Sequence, residues 1–156
     1  MKKTLILLFV VLMAGVSLYS QETSQESYLE LLRSDLRTQK VAIVTVNMEL
    51  TDAQGQVFWP IYRKYDAELT TLNDERIAVI KDYAANFDKM TDAKADALTK
   101  QVFSFLGKRL KLQEKYYGEF AKALNPVLAA KFMQIERQLN AIVDLQIANE
   151  IPLITK

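Results

Sequence analysis

The chain contains no cysteine and no histidine. Without them no nitrogen–sulfur zinc site can form. The commonest general base and two common nucleophile pairings are missing as well. Lack of cysteine also removes the anchor residue of a lipoprotein, and it fits an oxidising compartment. Glycine is scarce, with four in 156 residues. Gly107-Lys108 has neither the earlier glycine nor the following Ser/Thr of a phosphate loop. Only carboxylate chemistry remains, and no paired-acid constellation stands out. We therefore expect no enzyme activity, metal or cofactor. There is no excess of basic over acidic residues either: 20 against 19 give a net charge of +1, which speaks against a general nucleic-acid binder.

No apolar run is long enough to span a bilayer. The segment from Thr4 to Ser20 carries no charge, and its apolar core, Leu5 to Val16, is 12 residues long. A spanning helix needs roughly 20 and a secretory signal core about 7–15. With Lys2 and Lys3 in front, residues 1–20 read as a signal peptide. Cleavage is expected near Ser20-Gln21, or alternatively after Ser17. The other reading is an uncleaved anchor. Removing residues 1–20 takes away two lysines and no acid, leaving 18 basic and 19 acidic residues and a net charge of −1. Residues 21–156 are then a single helical domain of an exported protein with no membrane insertion of its mature part.

What is present is helix. Tyr28, Leu32, Leu36, Ile43 and Val46 share one side of a first helix, Glu26 to about Met48. The run Val41 to Val46 has strand propensity. A lone strand would leave its backbone unpaired, however, and no partner strand is available. Thr51 and Gln54 form a capping box that opens a second helix, from Asp52 to about Asn86. Leu50 precedes the cap, but Gly55 gives it nothing to staple onto. Phe58, Tyr62, Tyr65, Leu69, Leu72, Val79, Tyr83 and Phe87 recur at three- and four-residue steps. Pro60 lies inside this helix and should cost it a hydrogen bond and bend it near Gln56 or Val57. Thr91 caps a third helix to about Leu124, with Lys94 in place of the Gln of the box. Asn125-Pro126 starts a fourth, which fades by Asn149. The fold class is all-α: a helical hairpin or bundle of about four helices. At 1.5 Å per residue the second helix spans roughly 50 Å, against roughly 35–40 Å for a compact globule of this size. That predicts an elongated molecule, and one fourth helix with a short first one is too little to cover both sides, which predicts a homodimer.

The third helix divides its faces. Leu98, Val102, Phe105, Leu106, Leu110, Tyr116, Tyr117, Phe120 and Leu124 cover one half. Lys100, Lys108, Lys111, Lys115 and Lys122 fall within about 80° on the other side. They are either a solvated face or a cationic surface for acidic or unfolded chains. Four charges sit where the period wants apolar residues: Asp35, Arg76, Arg109 and Glu136. Buried charges should pair, and Arg76 with Glu136 is the expected match.

Leu50-Thr51-Asp52-Ala53-Gln54, with an incomplete echo at Met90-Thr91-Asp92-Ala93-Lys94, resembles the LTxxQ repeats of the Spy/CpxP family. Architecture is similar over about residues 26–148, and the motifs cover about ten residues. Phe58-Trp59-Pro60 is not part of that pattern, as in a distant branch. The resemblance implies small periplasmic helical proteins that form thin, curved antiparallel dimers. It also implies an ATP-independent chaperone for unfolded or partly folded proteins, or a regulator that binds one folded partner such as an envelope-stress sensor.

Overall fold

The computed structural model describes residues 38–154. The signal segment, most of the expected first helix and Asp35 lie outside the described residues. The chain divides into two compact units, Met1–Ile43 and Val44–Lys156. Of the first, residues 38–43 are described, and they are helical.

The described residues form four α-helices and a short 3-10 helix, Phe87–Lys89, and no strand occurs among them. The α-helices are α1 (described over 38–48), α2 (Asp52–Asn86), α3 (Asp92–Ala123) and α4 (Pro126–Glu150). The β-prone run 41–46 is helical throughout. Propensity is a weak preference, and the burial of Val44 and Met48 in the core of the second unit outweighs it.

Local chemistry places each boundary. At the start of α2 the Thr51 hydroxyl accepts from the Gln54 N–H (3.3 Å), and the Gln54 side chain accepts from the Thr51 N–H (3.0 Å). Replacing Thr51 by alanine should cost about 0.5–2 kcal/mol in urea unfolding. An unchanged midpoint would mean that the cap contributes nothing. Thr91 accepts from Lys94 N–H at 3.2 Å, but Lys94 has no acceptor to return. Its ammonium instead reaches back to Asp82 at 2.7 Å, tying the α2–α3 turn. Asn125 caps α4 through the Leu128 N–H, with Pro126 at the first position. Between α1 and α2, Glu49 adopts a left-handed φ of 52°, a conformation costly for a side chain with a Cβ. Lys131 of α4 bonds both the Glu49 carboxylate and the Met48 carbonyl, and so holds this link.

The three long helices run up, down and up. Lys115 meets Glu68 and Lys108 meets Glu75, seven residues apart on each helix, so α2 and α3 are antiparallel and in register. At the α1–α2 end the core is aromatic. Phe58, Phe120 and Phe132 bring one ring each from α2, α3 and α4, with centroids 4.7–5.3 Å apart. Tyr65 and Tyr116 continue it at 5.2 Å. No Cα of α2 comes within 8 Å of one in α4. Long side chains cross that gap instead, Tyr65 to Phe132 and Arg76 to Asp144, and the Tyr83 hydroxyl donates to the Pro152 carbonyl just beyond α4. Large aromatic and arginine side chains are what let α2 and α4 share a core at this separation. Pro60 does not end α2, which runs on for 26 residues beyond it.

Candidate functional site

The polar interior differs from the expected pairing. Arg76 and Arg109 both bind Asp144, not Glu136. Arg76 Nη1 lies 2.7 Å from Asp144 Oδ1, and Arg109 makes a two-toothed contact at 3.1 and 2.9 Å. Both guanidinium groups lie over the Phe105 ring, at 5.4 and 5.2 Å from its centroid. Burial raises the Asp144 carboxyl, but hydrogen bonds from Arg109 and the charges of both arginines outweigh it and hold it below the usual carboxylate range.

Glu136 has no exposed surface, and among the described residues Tyr65 Oη donates to it at 2.8 Å and Asn140 Nδ2 at 3.3 Å. Burial, and next the Glu136 charge, push the Tyr65 hydroxyl far above its ordinary range, so it stays a donor. The reason for the swap is axial level. Helical spacing tells which face a residue occupies, not which residue of a parallel helix stands opposite it. Tyr65 is level with Glu136. Arg76 is three turns further along α2, where Asp144 stands eight residues beyond Glu136. Asp144 lies between Val143 and Leu145 at the edge of the apolar stripe, so its spacing carries no sign of burial.

On α3, three of the five stripe lysines are neutralised. Lys108 meets Glu75 at 2.6 Å, Lys115 meets Glu68 at 2.7 Å, and Lys100 meets Asp96 within its own helix at 2.6 Å. Glu68 also accepts from the Tyr116 hydroxyl. Lys115 first, then Tyr116, hold its carboxyl below the usual range. The stripe reads as bare on α3 alone because two of its acids stand on α2. Lys111 and Lys122 remain exposed, with no ion pair among the described residues.

The apolar half of α3 is also wider than the surface that packs. Leu98, Phe105, Tyr116 and Phe120 are buried. Phe103 is 66% exposed, Leu106 42%, Leu110 56% and Tyr117 41%. These four recur at steps of three, four and seven, within about 60° of one another. They form a second apolar line beside the buried one and turned away from α2. On α4, Ile142 and Leu145 are exposed as well, at 55% and 62%. Gly107 and Gly118 border this line, and a Cβ on either would meet nothing within 4 Å. Phe103 falls outside the core period, and that offset is the signal in the sequence that would have separated the two lines.

Among the described residues no group of three acids could hold a metal ion, and no helix is long and apolar enough to cross a membrane. No protein-family model, curated protein or solved structure matches this chain.

Proposed function

We propose that the chain is an exported, ATP-independent holding chaperone of the Spy/CpxP kind, acting in the periplasm as a homodimer. The observation that carries this reading is the exposed line Phe103, Leu106, Leu110 and Tyr117 beside Lys111 and Lys122, which make no ion pair among the described residues. An exposed apolar line of this extent, with cations at its edge, suits weak capture of unfolded segments, whose apolar side chains and acids are accessible together. The capping box at Leu50–Gln54 and its incomplete echo at Met90–Lys94 support the family likeness.

The test is aggregation of two unrelated unfolded proteins with and without the chain. Leu106→Gln with Leu110→Gln should lose most of the suppression at unchanged helicity. Lys111→Gln with Lys122→Gln should weaken it most at low salt. Suppression unaltered in both double variants would remove this surface from the reading. Activity towards one folded protein alone would favour a regulator that binds a single partner such as a sensor.

A further inference from the structure

Asp52, Gln56, Trp59 and Arg63 follow one another at steps of four, three and four, which lines them up along one face of α2. That line runs along an open groove of about 610 Å³, which Thr45, Leu50 and Pro60 also line. Trp59 is the platform. It packs against Phe58 and Tyr62 edge to face, at 5.1 and 5.3 Å, and is half-buried.

Two oddities of the sequence meet in this groove. Gly55 stands where a staple residue belongs, and glycine is unfavourable inside a helix. A Cβ at that position would lie 3.7 Å from Trp59 Cδ1 and Nε1, so glycine leaves the pyrrole edge of the indole open. Pro60 has no N–H to give to the Gln56 carbonyl, which leaves a backbone acceptor within the groove. The ends carry opposite charges. Asp52 and Arg63 are exposed and make no ion pair among the described residues. Eleven residues of helix place them about 16 Å apart, the reach of about five extended residues. The full charge of Asp52 outweighs the half charge of the helix N-terminus beside it.

We propose that this groove binds an extended peptide segment of about five residues, with a cation at the Asp52 end, an anion at the Arg63 end and an apolar side chain against Trp59. Its length, its paired end charges and the free backbone acceptor match a peptide. The α3 surface plays no part in it.

Trp59 is the only tryptophan in the chain, so its emission reports occupancy directly. The probes are the blocked peptides Ac-Lys-Ala-Leu-Ala-Glu-NH2 and Ac-Gln-Ala-Leu-Ala-Gln-NH2, titrated into the full chain. The first should shift the emission saturably, and the second should bind about tenfold more weakly. Arg63→Gln, a change on an exposed side chain, should weaken the charged peptide by about the same factor. Gly55→Leu should abolish binding by covering the indole edge, with the far-UV circular dichroism unchanged. Equal binding of both peptides, an Arg63→Gln protein that binds like the parent, or no saturable change in emission would each overturn the proposal.

Discussion

Replacing Phe132 by alanine is expected to cost about 3–5 kcal/mol. Phe132 has no exposed surface and touches rings on two other helices: Phe58, Tyr62 and Tyr65 of α2, and Phe120 of α3. Truncation leaves a ring-sized void between helices that cannot close on it. The backbones of α2 and α4 are held apart by the very side chains that fill the gap. Total stabilities are typically about 5–15 kcal/mol, so this one change should take a large share of the cooperative unfolding transition. Urea titration followed by circular dichroism measures it. Phe103→Ala is the matched control, because Phe103 is mostly exposed and its loss should stay within about 0.5 kcal/mol. Comparable losses for the two would mean that the aromatic cluster is not the core. If the α3 surface acts as proposed, Phe103→Ala should lower chaperone activity at nearly full stability.

Asp144→Asn should be the next most damaging change, at about 2 kcal/mol. It leaves two half-buried guanidinium groups facing each other over Phe105 without the carboxylate that joins them. Fully buried pairs cost about 3–5 kcal/mol to break and exposed ones under about 1. Asp144 stands between, with its side chain 34% exposed. Double-mutant cycles of Asp144→Asn with Arg76→Met and with Arg109→Met should both be non-additive, whereas Arg76→Met with Glu136→Gln should be additive. The pH dependence has a definite sign. The folded pKa of Asp144 lies below its unfolded value of about 3.9. Its contribution is therefore complete above that unfolded value and is lost as pH falls through the folded one. Wild type should lose more stability than Asp144→Asn on going from about pH 5 to about pH 3. Parallel losses would mean that the shared carboxylate contributes nothing.

Much of the fold was legible in the chain itself. The α2 and α3 starts follow from hydroxyl caps at Thr51 and Thr91, and the α4 start from Asn125-Pro126. These are interactions within four residues, and local chemistry is readable locally. The all-α class followed from three–four periodicity for the same reason. The charged interior was half legible. The apolar positions of Arg76 and Arg109 show that each needs a partner, because burying a charge is costly wherever the chain goes.

The identity of that partner was not legible. A helix repeats its faces every few residues, so many acids share a face, and only the axial offset between α2 and α4 selects one. That offset is set by rings packing at the other end of the bundle. The same limit applies to α3. Its sequence determined that half of it is apolar and that lysines line the other side. The tertiary structure alone decided that α2 supplies acids to Lys108 and Lys115, and that the apolar half is too wide to be buried. A helix in contact with two neighbours along one arc covers only that arc, and whatever apolar surface lies beyond it stays in water.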